Sequence, residues 1–239
     1  MHHEIEFENV FFEYPDKSFS LQNLNFNIPI GEKFAICGRN GAGKTTLLRL
    51  LMGLEFHQKG KIQVQELILD KNTIKEIRKR IGFVFQNPDS QVFSASVYED
   101  IAFGPRNLGL TENEVDQRVE YALEVVDMLE YKDYSPYHLS FGQRKRIAIA
   151  GVLAMDPAII VLDEPFANID YPSRKSLQKL LEKDVIEEGK TLVFTTHSRK
   201  LIQEWADGVL FLDKGKKLYS GRAEELSKIN QTDQFLGPI

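Results

Sequence analysis

Residues 37–51 read CGRNGAGKTTLLRLL, and no other stretch constrains the chain as tightly. An apolar run over 34–37, a buried-strand pattern, breaks into a loop holding Gly38, Gly41 and Gly43, and the chain then enters a helical pattern, TTLLRLLMG. Strand, glycine loop and helix start in that order let successive main-chain N–H groups turn into one hollow, with the partial positive charge of the helix end behind them. Such a hollow binds phosphate. The stretch 38–45 fits G-x-x-x-x-G-K-[ST], the Walker A pattern. Gly38, Arg39, Asn40, Gly41, Ala42, Gly43, Lys44, Thr45 and Thr46 are therefore the expected nucleotide-phosphate ligands. Lys44 reaches for the β- and γ-phosphates and the Thr45 hydroxyl for a magnesium ion, Mg2+. The plain alternative is an ordinary glycine turn between a strand and a helix.

The rest of the chain supplies an α/β frame for that loop. Residues 5–14 and 19–28 alternate apolar and polar side chains, the period of half-buried antiparallel strands, so a small antiparallel sheet opens the chain. Another strand pair is predicted over 60–69, and short apolar strands over 81–85, 158–162 and 191–196. Runs at 209–212 and 216–219, joined by Asp213-Lys214-Gly215, predict a closing hairpin, followed by a short helix from Ala223. Thr111 and Glu114 form a capping-box pattern, after which Val115, Val119, Ala122, Leu123, Val126 and Leu129 recur at helical spacing. Ser140 and Gln143, in the run LSFGQ, predict a second capped helix that runs to Met155. Its N-terminus, with Gly142 beside it, is a second candidate anion site. Between these, 87–110 mixes turn residues with the exposed-looking aromatics Phe93, Tyr98 and Phe103, as a docking surface does. The tail 231–239 is unremarkable, and the opening Met-His-His is too short to read as a metal site.

Polar residues stand where buried strands end, which is where ligands sit in open parallel sheets. The strand over 158–162 runs into Asp163-Glu164-Pro165. Two carboxylates there are costly unless they hold a cation or handle protons, so Asp163 is expected to hold magnesium through water. Glu164 is expected to orient or deprotonate the water that attacks a γ-phosphate. Gln86, leaving the strand 81–85, is a candidate to contact the metal or that water, with an ordinary loop glutamine as the alternative. His197 follows the last parallel strand; a lone histidine there is more often a structural hydrogen-bonder, but its neighbours favour a functional role. Tyr14, beside a Pro15-Asp16-Lys17 turn, stacks on an adenine ring or simply packs the turn.

Composition narrows the function classes. With 239 residues, 42% of them hydrophobic and 27% charged, the chain has enough apolar residues for a proper core, one compact unit with a smaller lobe. A net charge of −5 argues against a nucleic-acid-binding face as its main business. The single cysteine, Cys37, excludes an internal disulfide. With no apolar stretch of membrane-spanning length and no signal peptide, an intracellular chain is expected, one that meets a membrane only through a partner.

Taken in order, these motifs resemble those of ATP-binding cassette (ABC) ATPases over about residues 5–226: Tyr14, Walker A, Gln86 as the Q-loop, and a signature of Leu139, Ser140, Phe141, Gly142 and Gln143. Walker B follows over 159–163 with Glu164, then a D-loop ending in Asp170 and the switch residue His197. The resemblance implies an α/β P-loop NTPase with a mainly parallel core sheet, an N-terminal antiparallel subdomain and a helical subdomain over about 88–155 that carries the signature, all within residues 1–230. It implies ATP hydrolysis with Mg2+ held by Thr45, Gln86 and Asp163, and Lys44, Gln86, Glu164 and His197 in catalytic roles. It also implies a second cassette, the same chain or a paralogue, whose ATP is covered by Ser140, Phe141, Gly142 and Gln143 of this one. Stretches 86–93, 102–105 and 146–155 resemble in particular the ATPases of energy-coupling-factor importers of vitamins or cobalt and nickel ions. That implies a transmembrane coupling subunit, a solute-capture membrane subunit, and a place on the cytoplasmic face of the membrane without insertion.

Two departures from the family pattern stand out. Phe141 replaces the glycine of LSGGQ, and the D-loop reads FANID over 166–170 in place of TAGLD, with Asn168 suited to a left-handed turn. Both lie in the half-site offered to the partner, so an asymmetric pair is expected, with this chain's own Walker site competent and the opposite site slower. The rival readings are the ATPase of another ABC class, a soluble cassette acting on ribosomes or DNA, and a nucleotide-gated binder that does not turn over. Against the last two stand the absence of a second cassette, the acidic balance, and the presence of Glu164 and His197.

Overall fold

The structure, a computed structural model, describes residues 3–228; Met1 and His2 of the opening run and the tail 231–239 lie outside them. The chain divides into two compact units, one formed up to Arg78 and again from Thr191, the other from Lys79–Lys190. The second is wider than the expected helical subdomain because it also takes in strands on either side of the helices.

The first unit opens with β1 (His3–Glu13) and β2 (Ser20–Pro29), paired antiparallel as the alternation predicts. β3 (Lys33–Cys37) leads to α1 (Lys44–Leu51), and β4 (Lys59–Val64) with β5 (Leu67–Ile68) continues the antiparallel edge on β1. α2 (Ile74–Arg80) closes the first pass. The inward faces of β1, β2 and β3 meet through aromatic rings: Phe7 stacks on Phe26 at 4.5 Å and Phe26 on Phe34 at 6.5 Å. Burying each of these side chains is worth roughly 1.5–3 kcal/mol, which is why the alternation, and not local propensity, sets the register.

The second unit begins with β6 (Ile81–Val84), which ends one residue short of the expected strand, and carries α3 (Val97–Asn107), α4 (Glu112–Val125) and α5 (Phe141–Ala154). β7 (Ile159–Leu162), buried throughout, pairs parallel with β6, and α6 (Tyr171–Leu181) follows. Gly82 of β6 lets α5 approach closely, since a Cβ there would lie 2.2 Å from Val152. The α4 capping box forms as expected, Thr111 N–H donating to Glu114 at 2.8 Å, and Val115, Val119, Ala122, Leu123 and Val126 are fully buried. Leu129 departs from the predicted face and is exposed, because α4 stops at Val125 and Asp127 turns left-handed, at φ 57°, breaking the helical period. Asp156 fixes the far end of the unit, paired with Lys190 at 2.5 Å and Arg118 at 3.0 Å.

The chain re-enters the first unit through β8 (Thr191–Thr196), α7 (Arg199–Trp205) and the hairpin of β9 (Gly208–Asp213) and β10 (Lys216–Arg222). A 3-10 turn over Ala223–Lys228 replaces the expected short helix. β3 lies parallel between β8 and β9, and β10 adjoins β2. The parallel strands are central and apolar, so the loop after β3 leaves the sheet at its carboxyl edge, where polar chemistry can reach solvent.

Candidate functional site

In the first unit the loop 38–43 is built by two glycines that the backbone requires. Gly38 has φ 152°, and a Cβ on it would sit 2.3 Å from the Leu212 carbonyl oxygen; Gly43 has φ 108°, and a Cβ would strike Phe19 and Leu21. The loop is pinned to the β9–β10 hairpin by Gly215 N–H donating to the Ala42 carbonyl at 3.0 Å. Lys44, the first residue of α1, is only 8% exposed, and its ammonium donates to the carbonyls of Gly38 at 2.8 Å and Arg39 at 3.3 Å. α1 has no side-chain cap and no acidic residue in its first turn. Its leading N–H groups are therefore left to an anion, with a buried cation beside them. Arg39, Asn40, Gly41 and Thr45 are exposed, and Ala42 and Thr46 are buried. This donor set fits a polyphosphate, and the exposed Thr45 hydroxyl fits a magnesium ligand.

Tyr14 is half-buried beside this loop, its ring edge-on to Phe12 at 4.8 Å and its hydroxyl 3.5 Å from Thr46 Oγ1. His197 is exposed just past β8, and the next residue, Ser198, caps α7 by accepting from Leu201 N–H at 3.3 Å. Cys37 is buried, and burial pushes its thiol well above the usual range, so it is packing material and not a nucleophile.

In the second unit Asp163 directly follows β7, 9% exposed, its N–H donating to the Val84 carbonyl at 2.9 Å. Glu164 is half-buried with φ 47°, a left-handed conformation costing on the order of 1–2 kcal/mol for a residue with a Cβ. A tight turn follows, Ala167 N–H donating to the Glu164 carbonyl at 3.1 Å. Asn168 takes the left-handed turn expected of it, at φ 59°, and Asp170 caps α6 by accepting from Ser173 N–H at 3.2 Å. Those Ser173 bonds hold the Asp170 carboxyl below its ordinary value. Gln86 is exposed beyond the end of β6.

The signature stretch forms its capping box: Ser140 N–H donates to Gln143 Oε1 at 2.9 Å, and Gln143 N–H to Ser140 Oγ at 3.3 Å. A Cβ on Gly142 would meet nothing within 4 Å, so packing within this chain sets no need for glycine there. Ser140, Gly142 and Gln143 share a cavity of about 270 Å³ with Asn168 and Asp170.

The sequence reading missed Lys145. It is 2% exposed, its ammonium donating to the carbonyls of Glu164 at 3.1 Å and Ala167 at 3.3 Å, with the Phe141 ring centred 5.7 Å away. Burial lowers it to about 8, while the charges of Glu164 and Asp163 pull the other way. The only signal in the sequence was a cation inside the apolar run of α5, which reads equally well as a solvated face.

Two of the three aromatics expected to be exposed in the stretch 87–110 are so. Phe93 and Phe103 are exposed and meet edge to face at 5.4 Å. Tyr98 does not join them. Its hydroxyl donates to Asp116 at 2.5 Å, Arg106 and Lys132 lie 5.7 and 5.3 Å from the centre of its ring, and the Asp116 bond pushes its phenol up to about 12. Phe93 instead borders a cavity of about 420 Å³ with Val92, Pro136, the exposed Tyr137, Asp89 and Arg144. Arg144 Nε donates to Asp89 at 2.7 Å, and Arg144 also donates to the Leu139 carbonyl, so a wall of this cavity is tied to the residue that precedes the signature cap.

Comparison with known proteins gives the family. The family model described as ABC transporter matches residues 21–167. The energy-coupling factor transporter ATP-binding protein EcfA of Carboxydothermus hydrogenoformans is 44% identical over 217 residues, 91% of this chain and 80% of that protein. CbiO1 of Clostridium perfringens, part of the ABC transporter complex CbiONQ, superposes with a TM-score of 0.88 at 36% identity, covering 98% of this chain and 94% of that one. An ATP-binding cassette solved as a dimer in a post-hydrolysis state with ADP and Pi gives a TM-score of 0.81 at 27% identity, covering 92% and 99%.

Proposed function

The chain belongs to the ABC transporter family of ATPases, and on that premise we propose that it is the ATP-hydrolysing subunit of an energy-coupling-factor importer for a vitamin or a transition-metal ion. The phosphate loop carries the reading. Its uncapped helix start, free of acidic residues, and the buried Lys44 ammonium form a site for the β- and γ-phosphates, with Tyr14 beside it for the adenine. The exposed Thr45 hydroxyl would hold a Mg2+ ion beside the phosphates, with Asp163 and Gln86 the candidates for it in the second unit; when bound, the ion would neutralise charge on the phosphates. Glu164 orients the attacking water and accepts its proton, and His197, exposed just past β8, is the further catalytic residue.

The cassette works in a pair, with Ser140 and Gly142 closing on the nucleotide of the second cassette. Gly142 supports this, because an open glycine at a capped helix start leaves room for a phosphate from outside the chain. The cavity bordered by Phe93 and Tyr137 suits a coupling segment of a transmembrane subunit, and a separate membrane subunit captures the solute. Among the described residues no helix is long and apolar enough to cross a membrane, in keeping with a peripheral subunit on the cytoplasmic face. Isolation of the chain from native membranes in mild detergent, with mass spectrometry of what stays bound, tests the reading. Recovery of a transmembrane coupling protein with a small solute-capture protein is expected. Recovery of ribosomes, or of the chain alone, would shift the assignment to a soluble cassette protein.

A further inference from the structure

Glu164 stands in a conformation that a residue with a Cβ avoids, and such strain persists only where the surroundings over-determine it. Two groups grip its carbonyl: the N–H of Ala167 at 3.1 Å and the Lys145 ammonium at 3.1 Å. The same ammonium also holds the Ala167 carbonyl at 3.3 Å, so both ends of the Glu164–Ala167 turn hang on one side chain of α5. A buried ammonium satisfied by main-chain carbonyls is a costly way to fill that space. Phe141, one turn earlier on the same helix, covers the ammonium with its ring, which gives the departure from LSGGQ a physical role inside this chain.

We propose that Lys145 is a positioning residue for hydrolysis: by holding the Glu164 and Ala167 carbonyls it keeps Glu164 in its left-handed conformation and links that carboxylate's direction to the signature turn of α5. The inference rests on the reading of Glu164 as the group that orients the attacking water. Loss of the ammonium lets the turn relax by rotation about Glu164 and moves the carboxylate relative to Asp163, the residue that follows β7. A carboxylate displaced by a fraction of an ångström still leaves ATP bound, so the loss falls on turnover and not on affinity. Arginine at 145 keeps a permanent cation with several N–H donors and can serve both carbonyls, whereas methionine fills the space without a donor.

The test is steady-state ATP hydrolysis and thermal unfolding of the full chain, with the subunits that co-purify with it, as native protein, Lys145→Met, Lys145→Arg, Phe141→Ala and Glu164→Gln. Lys145→Met is expected to lower kcat about tenfold with KM for ATP and Tm unchanged. Lys145→Arg should recover most of the native kcat, and Phe141→Ala should give a smaller loss than Lys145→Met. Native kcat in Lys145→Met overturns the inference, and so does a loss that tracks a fall in Tm and is not rescued by arginine. Native turnover in Glu164→Gln would instead overturn the assignment of Glu164 itself, an outcome read without reference to Lys145.

Discussion

In the phosphate loop the positive-φ backbone falls on Gly38, Gly41 and Gly43, whereas in the loop after β7 it falls on Glu164 and Asn168, at φ 47° and 59°. The first loop uses residues for which that conformation is nearly free, and presents main-chain N–H groups as its ligands. The second carries a carboxylate side chain at the strained position, Glu164, where glycine would be free of that strain. It must therefore hold the strain from outside, with Lys145 and the Ala167 turn. One loop binds through its backbone, so its shape can be written in glycine spacing. The other acts through side chains, and its shape depends on what is packed against it.

The sharpest way to break this comparison is Glu164→Gln. It should lower kcat roughly 10²–10⁴-fold while nucleotide affinity holds, measured by steady-state hydrolysis beside nucleotide titration. Equal loss of affinity would mean that Glu164 contributes to ground-state binding and not to water activation. Next comes Gly38→Ala, whose Cβ meets the Leu212 carbonyl at 2.3 Å; it is expected to cost about 3 kcal/mol or more in urea unfolding. Gly41→Ala, with nothing within 4 Å but φ 78°, should cost only about 1 kcal/mol, and a reversed order would show that strain and not contact governs the loop.

A smaller effect tests the buried cation. Burial lowers Lys145 to about 8 from its ordinary 10.5, so the unfolded chain holds that proton more tightly than the folded one. Stability therefore rises with pH across the window from about 8 to 10.5, where the unfolded state binds more protons, and is unaffected by this group below it. Chemical unfolding of native protein and Lys145→Met should show the native chain gaining on the variant through that window and a constant difference below it. The smallest effect is Asp89→Asn. Its bond to Arg144 is half-exposed, so the loss should stay below about 1 kcal/mol and shrink further in high salt.

The phosphate loop, the two capping boxes and the antiparallel opening were legible because each depends on neighbours a few residues apart: glycine spacing, a cap answered three residues on, alternation of period two. Asn168 was legible for the same local reason, as a residue that tolerates a left-handed turn. Leu129 was misplaced because a left-handed Asp127 ends the helix, which periodicity alone does not register. Tyr98 was misplaced because Asp116, which takes its hydroxyl, and Lys132, beside its ring, come from outside its own helix. By itself the sequence determined an α/β chain that binds a nucleoside triphosphate, since backbone ligands and strand-end carboxylates are encoded locally. Only the tertiary structure decided that Glu164 is strained, that Lys145 holds it, and that Phe141 faces that ammonium. Those contacts join α5 to a loop some twenty residues away, and side-chain placement at that range is settled by packing and not by pattern.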